Sequence, residues 1–180
     1  MATTLERAWY RPALMILTDQ EPTENNAVEG SWNIGTTAGT DYIFLTDDNR
    51  SALGVTIERI EFRKRMINGR MRTYHVVDKK SFSVSWSELP SSNVGISEYQ
   101  VNGNQAWASG KKMKEWYDNH NNSFWLLLIY DTPDPEGTGN IPLRYKTEKY
   151  NVFFESFDYT ISKRGSMYDH WEVSMALVEA

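Results

Sequence analysis

The chain has 180 residues, enough for one hydrophobic core, and we expect residues 1–180 to form a single domain. Hydrophobic residues make up 40% of the chain and aromatic residues 13%, which excludes a disordered protein because so much ring surface must be buried. The absence of cysteine excludes disulfides and thiolate metal sites, and the net charge of −5 argues against a protein that wraps nucleic acid.

No segment predicts secretion or membrane insertion. The apolar run from Pro12 to Leu17 is too short for the core of a signal peptide. The longest apolar stretch, from Phe124 to Tyr130, falls far below the ~20 residues that span a bilayer. We therefore expect a soluble protein that is made in the cytoplasm and has no membrane partner.

The first half of the chain predicts loops around a long hairpin. Residues 18–41 are rich in Thr, Asn, Gly and Glu without a sustained apolar period, which predicts a long loop. Tyr42 to Thr46 are predicted to form a short strand, and residues 55–87 a long β-hairpin. Residues 90–105 have little apolar periodicity and are predicted to form a second loop.

The next stretch predicts one helix, one strand and another loop. Apolar side chains at 3.6-residue spacing over 109–120 predict a short helix with Ser109 as its N-cap. The continuous apolar run 124–130 predicts a strand buried on both faces. Prolines and glycines interrupt residues 131–149, which predicts an exposed loop.

Residues 150–178 are predicted to form a C-terminal hairpin around a turn at 163–166. Alternation places two apolar rows on its strands: Phe153, Phe157, Tyr159 and Ile161 on the first, and Trp171, Val173, Met175 and Leu177 on the second. Together the elements predict a mainly β fold. We expect an antiparallel β-sandwich or barrel with one short α-helix and a long projecting β-hairpin.

The turn of the long hairpin sets its predicted register. Asn68-Gly69 is the strongest short signal for a two-residue type I′ turn, because both of its residues must adopt positive φ. The resulting register matches apolar with apolar residues and opposite charges with each other: Met66 with Met71, Ile60 with Val77, Arg59 with Asp78 and Glu58 with Lys79. It also sets Phe62 opposite His75 and two like charges, Arg65 and Arg72, opposite each other.

In this register the apolar side chains change faces along the hairpin. Val55, Ile57, Phe82, Val84 and Trp86 share one face near the base, whereas Ile60, Phe62, Met66, Met71, His75 and Val77 share the other near the turn. One core cannot accept both rows, because successive side chains point to opposite faces. Either a β-bulge near residues 78–80 resets the phase, or the outer half packs on a neighbouring copy.

We favour the second explanation, and charge supports it. Residues 59–80 hold eight basic and two acidic side chains, so the rest of the chain carries −11 and can supply acidic partners. The predicted subunit interface comprises Ile60, Phe62, Arg63, Arg65, Met66, Ile67, Arg70, Met71, Arg72 and Tyr74.

Motifs for catalysis or cofactors are missing from the sequence. It has no phosphate-binding loop and no nucleophile elbow, and His75, His120 and His170 lack ligand spacing. Asp131, Asp134 and Glu136 could bind calcium, but acids separated by prolines in a loop are more often plainly solvated. We expect no enzyme activity, no metal and no cofactor.

The run NVFFESFDYTISKRGSMYDHWEVSMALVEA and the order of elements over residues 42–180 resemble phage tail tube proteins. The resemblance implies a non-catalytic virion protein that forms rings, commonly hexamers, which stack into a tube. It implies contacts with a tape-measure protein and with other tail or baseplate proteins, and DNA as non-specific cargo. The same fold serves distal tail and baseplate hub rings.

Two other functions remain open on the sequence. Abundant Trp and Tyr suit a carbohydrate-binding β-sandwich, in which exposed rings stack on sugars. Paired carboxylates, Glu155 with Asp158 or Asp169 with Glu172, suit a baseplate-associated hydrolase. The first predicts a monomer, and the second predicts turnover.

Overall fold

The computed structural model describes residues 14–24, 32–47, 49–92, 107–130, 146–166 and 168–180. Their strands and helix are β1 (Leu14–Thr18), β2 (Thr23–Glu24), β3 (Trp32–Asn33), β4 (Tyr42–Leu45), β5 (Gly54–Arg65), β6 (Met71–Pro90), β7 (Trp107–Ala108), α1 (Gly110–Asn119), β8 (Phe124–Tyr130), β9 (Lys146–Lys163) and β10 (His170–Glu179). The predicted mainly β fold with one short helix is confirmed.

Eight of these strands form one large sheet in the order β5-β6-β10-β9-β8-β1-β4-β7, and β2 pairs with β3 in a separate small sheet. All neighbours are antiparallel except β4 and β7. The sheet folds over on itself, because side chains of β6 and β10 share one core with those of β1, β4 and β8. A β-bridge joins Arg50, which follows β4 in the chain, to Trp86 of β6, and so connects the two halves of the folded sheet. The result is a sandwich made from a single sheet.

Alternation along β6 and β10 builds one wall of the core. Trp171, Val173, Met175 and Leu177 are buried, as predicted, while Glu172 and Ser174 face solvent. On β6 the buried residues Phe82, Val84 and Trp86 alternate with exposed serines. The Trp86 indole donates a buried hydrogen bond of 2.8 Å to the carbonyl of Thr46, which ties this wall to the chain after β4.

The central strand β1 was not predicted. Its residues Met15, Ile16 and Leu17 are completely buried between β8 and β4. Ile16 contributes to a second, smaller cluster on the far side of the sheet, whereas Met15 and Leu17 belong to the main core. A short apolar run without alternation is typical of a strand covered on both faces, and this signal could have identified β1.

The helix begins and ends within a residue of its prediction. Ser109 occupies the N-cap position in an extended conformation, but its side chain makes no capping hydrogen bond. Met113 and Trp116 are buried in the main core. A Cβ on Gly110 would lie 2.8 Å from the Trp171 ring, so the absence of a side chain lets α1 start directly against β10.

Two predicted loops contain strand. Within residues 18–41, β2 and β3 pair as a small antiparallel ladder. The loop predicted at 131–149 ends earlier, because β9 begins at Lys146 and pairs with β8 from there. The remainder of that loop, including Asp131, Asp134 and Glu136, and most of 90–105 lie outside the described residues.

One residue of the C-terminal hairpin lies on the opposite face from its prediction. Ser156 pairs with Ala176, but the next pair joins Phe154 to Leu177, so Glu155 is an extra residue in β9. This bulge changes the phase of the strand. Phe154 therefore packs against the core, and Phe153 is exposed on the other face.

We expect Trp86→Phe to destabilise the protein by about 1–3 kcal/mol more than Trp171→Phe, measured by urea unfolding. Both indoles are buried, but only that of Trp86 has a hydrogen-bond partner among the described residues, so only Trp86→Phe removes a buried hydrogen bond. Equal losses for the two variants would contradict this role of the Trp86 hydrogen bond.

Candidate assembly interface

The hairpin of β5 and β6 extends beyond the rest of the sheet. Pairing of β6 with β10 ends where Ser81 meets Val178, whereas pairing of β5 with β6 continues to Arg65 and Met71. The ten residues from Met71 to Lys80 therefore have β5 as their only strand neighbour among the described residues. At ~3.4 Å per residue the outer half of the hairpin reaches roughly 34 Å.

The predicted register is confirmed near the base and wrong near the turn. Glu58, Arg59 and Ile60 pair with Lys79, Asp78 and Val77, as predicted. The next pair joins Glu61 to His75, so Val76 is an extra residue in β6 and every later pair is shifted by one. A β-bulge therefore exists, although two residues nearer the turn than residues 78–80.

The turn is not the predicted two-residue type I′ turn. Asn68 does not have the positive φ that such a turn requires, whereas Gly69 has a φ of 78°. The Gly69 amide donates to the Met66 carbonyl, and the Met66 amide donates to the Arg70 carbonyl. These bonds define a three-residue connection in which glycine takes the left-handed position, the G1-bulge form that Asn-Gly also suits.

The bulge changes which side chains share a face. Ile60, Phe62, Tyr74 and Val77 form what we call the apolar face, and the extra residue Val76 is 68% exposed beside it. The opposite, charged face carries Arg59, Glu61, Arg63 and Arg65 together with Met71 and His75. The predicted grouping of Met71 and His75 with Phe62 is therefore wrong, because both lie on the charged face.

Both faces of the outer half are open to solvent. Phe62 is 60% exposed and Met71 is 58% exposed, although they lie on opposite faces. The bulge at Val76 thus does not bring the apolar face into the core of its own domain. The exposed row that motivated the interface prediction is present, with a changed membership.

Charges on the hairpin are paired near its middle and unpaired near its tip. Arg59 contacts Asp78 at 3.2 Å, and Arg63 contacts Glu61. Near the tip, Lys64 lies opposite Arg72, and Arg65 lies opposite Met71 rather than Arg72. No described residue forms an ion pair with these cations or with Arg70, so the tip carries four basic side chains available to a partner.

A polar cluster holds the hairpin where it leaves the sheet. Lys80 donates to the phenol oxygen of Tyr150, which itself donates to Glu148 at 2.6 Å. The Lys80 amide donates to the Glu179 carboxylate at 2.9 Å. Burial, together with the Glu148 carboxylate, raises the pKa of Tyr150 well above its ordinary value, so the phenol remains protonated and keeps donating at any physiological pH.

We expect Tyr150→Phe to leave the fold intact and to speed amide hydrogen exchange in residues 71–80. The substitution keeps the ring that packs at 5.0 Å from Phe82, but it removes the hydroxyl between Lys80 and Glu148. Tyr117→Phe, on the helix, is the matched control and should leave hairpin exchange unchanged. Unaltered exchange in Tyr150→Phe would show that the cluster does not hold the hairpin.

The carboxylates considered for a hydrolase lie in different places. Asp158 and Glu172 point to the solvent face of β9 and β10, where they border an open groove of about 650 Å³ with Ser85, Ser87 and Ser174. Asp169 lies in the connection before β10, and Glu155 is the bulge residue of β9. The predicted pairs therefore do not face each other across a cleft.

The described residues contain no group of three His, Asp or Glu side chains that could hold a metal ion. Each histidine has its own partners. His120 stacks on Trp116 and forms a hydrogen bond of 2.5 Å with Asp19. His75 lies 3.7 Å from Asp78, and His170 forms a hydrogen bond with the Glu88 carbonyl.

In the part of the chain that the structure describes, no helix is long and apolar enough to span a bilayer.

None of the tryptophan side chains that the structure describes provides the exposed platform on which the carbohydrate-binding alternative depends. Five indole side chains are described, and all are buried or half-buried: Trp32, Trp86, Trp116, Trp125 and Trp171. Exposed large apolar side chains instead concentrate on β5, β6 and β9. This distribution favours contacts with protein over stacking on sugar rings.

No protein-family model matches the chain, and no curated protein matches it. Among solved structures, one similar chain comes from a structure described as the tail of an empty GTA particle, computed with helical refinement and C6 symmetry. The two chains are 13% identical with a TM-score of 0.45, and the match covers 93% of this chain and 90% of the other. A likeness this distant carries no inference about function.

Proposed function

We propose that the protein is a structural subunit of a phage tail tube, which assembles with copies of itself into stacked rings. The observation that carries the proposal is the hairpin, whose apolar face projects beyond its own domain and remains uncovered. Exposed apolar area of this kind on a projecting element is typical of an interface between proteins. The four unpaired cations near the tip suit the acidic surface of another copy.

The solvent face of the sheet suits the wall of a channel for DNA. Along β6, β10 and β9 this face carries mainly small hydroxyl side chains with two carboxylates: Ser81, Ser83, Ser85, Ser87, Ser174, Thr160, Asp158 and Glu172. Carboxylates repel phosphate, so such a wall lets a polyanion slide without binding. Genome passage is thus the transport function that we assign to the tube.

The remaining parts of the proposal follow from the family resemblance. They are a hexameric ring, a tape-measure protein and other tail or baseplate proteins as partners, a place in the virion tail and no enzymatic role. A ring at the distal end of the tail or in the baseplate hub uses the same fold, and the surfaces described above suit either position.

The double substitution Phe62→Asp with Tyr74→Asp tests the proposal. The two residues are paired across the hairpin on its apolar face, so two carboxylates there should abolish assembly while the unfolding midpoint stays close to that of the unmodified protein. Negative-stain images and sedimentation velocity measure assembly, and thermal unfolding measures stability.

Thr73→Asp is the matched control, because Thr73 is exposed on the charged face, opposite Arg63, and belongs neither to the apolar face nor to the four cations of the tip. It should assemble like the unmodified protein. The proposal fails if the unmodified protein stays monomeric at high concentration, or if the double variant still forms rings. Outright unfolding of the double variant would place the apolar face in the core of its own domain and would equally contradict the proposal.

A further inference from the structure

The turn of the long hairpin presents an asparagine to solvent directly before a glycine. Asn68 and Gly69 are both exposed, and they follow the fully exposed Ile67. Gly69 has a φ of 78°, and a Cβ placed on it would meet no group from elsewhere in the chain within 4 Å. The backbone nitrogen of Gly69 is therefore open to approach, since glycine has no side chain of its own to shield it.

An asparagine in this position can react with its own backbone, which is one reason why asparagine is a thermolabile residue. Solvent removes the amide proton of the next residue, and that nitrogen attacks the asparagine Cγ. The new N–Cγ bond closes a five-membered succinimide ring, and the Cγ–Nδ2 bond breaks as ammonia leaves with a proton from water. Water then opens the ring at either carbonyl, which gives aspartate or isoaspartate. The whole sequence consumes one water and releases one ammonia, without oxidant, metal or enzyme.

A hydrogen bond within the turn prepares the carbon that is attacked. The Arg70 amide donates to Oδ1 of Asn68 at 3.1 Å. This donor polarises the Cγ–Oδ1 bond and stabilises the negative charge that Oδ1 gains when the ring closes. It also keeps the side chain folded back onto the turn, near the nitrogen that attacks it.

The attacking nitrogen is held by a bond that can open locally. The Gly69 amide donates to the Met66 carbonyl at 2.9 Å, and this bond must open before the proton leaves. Beyond the pair of Arg65 and Met71, the turn has no strand neighbour in the part of the chain that the structure describes. The bond can therefore open without unfolding the sheet.

The charge of the tip favours both steps of ring closure. The four cations of the tip lie within four residues of Asn68, and no acidic residue occurs between residues 62 and 77. Positive charge favours loss of the Gly69 amide proton, and it stabilises the anionic oxygen that forms on Asn68. The sequence pair, the turn geometry and the electrostatics thus act in the same direction.

We infer that Asn68 is a site of spontaneous modification, at which the chain converts its own asparagine into aspartate or isoaspartate through a succinimide. The inference concerns a single copy and goes beyond the proposed assembly. The product carries a carboxylate, which lowers the charge of the tip from +4 to +3. Isoaspartate also adds one backbone atom to the three-residue turn. The tip of an old molecule thus differs from that of a new one in charge and in backbone length.

Peptide mapping by mass spectrometry tests the inference. Trypsin cleaves after Arg65 and Arg70, so one short peptide separates Asn68 from the other Asn-Gly pair of the sequence, Asn102-Gly103. We expect this peptide of the unmodified protein, incubated as a monomer at neutral pH, to gain about 1 Da as ammonia is released. Sedimentation velocity checks that the sample is monomeric. If the unmodified protein assembles, the Phe62→Asp with Tyr74→Asp variant supplies the monomer.

Asn121 and Asn122 provide the internal comparison. Both are exposed, but the residues that follow them, Asn122 and Ser123, carry side chains that hinder the attack. We expect conversion at Asn68 to be at least about tenfold faster than at either of these positions, because only Asn68 precedes a glycine.

Two variants separate the contributions. Asn68→Gln is the matched control, because it keeps an amide at the tip but would have to close a six-membered ring, so the mass gain should stop. Lys64→Gln with Arg72→Gln removes two cations that lie opposite each other and should slow conversion several-fold at low salt. Added salt should slow the unmodified protein towards the rate of this variant, because it screens exposed charges.

The outcomes are independent of ring formation. Conversion at Asn68 that is no faster than at Asn121 and Asn122, or a mass gain that persists in Asn68→Gln, overturns the inference. Equal rates with and without the two cations overturn the contribution of charge. Rings together with an inert Asn68 support the proposed function alone, whereas a reactive Asn68 in a protein that never assembles supports this inference alone.

Discussion

The structure depends on a mismatch in length between neighbouring strands. β5 and β6 run past the end of β10, and β9 runs past β8, so backbone groups at these ends have partners on one side at most. Every backbone amide and carbonyl needs a hydrogen-bond partner, which at a free edge is water or another chain. The projecting hairpin, the exposed apolar rows and the edges that lack a partner among the described residues all follow from this mismatch.

Two β-bulges then decide what each projecting strand presents. Without the extra residue at Val76, the outer half of β6 would set His75 and Met71 beside Phe62. Without the one at Glu155, Phe153 rather than Phe154 would enter the core. A single inserted residue therefore changes the chemistry of a whole strand face, because every later side chain exchanges sides.

Patterns that depend on local alternation were predictable, and those that depend on insertions were not. The buried row of β10, the apolar strand β8, the helix at 110–119 and the base of the long hairpin all followed from spacing. The bulge at Val76 has no signature, since valine is an ordinary strand residue. Asn68-Gly69 fits two turn types, and the three-residue turn that it forms shifts the outer pairs by one residue from those of the commoner two-residue turn.

The charges at the tip bear on how the proposed assembly would avoid premature association. Lys64, Arg65, Arg70 and Arg72 cluster around an edge that would otherwise be open to any strand. Like charges on two approaching tips repel each other, whereas an acidic surface does not. In the proposed assembly, the same side chains would oppose tip-to-tip contact and favour contact with the acidic body of another copy.

β6 is continuous from the tip of the hairpin to Pro90, and its inner half carries the core residues Phe82 and Trp86. A pull on the hairpin consequently runs along the axis of a strand that is hydrogen-bonded on both sides within the domain. Such a load shears many of the hydrogen bonds between β6 and its two neighbouring strands at the same time, instead of breaking them one after another from one end. The hairpin is thus mechanically anchored in the centre of its own domain.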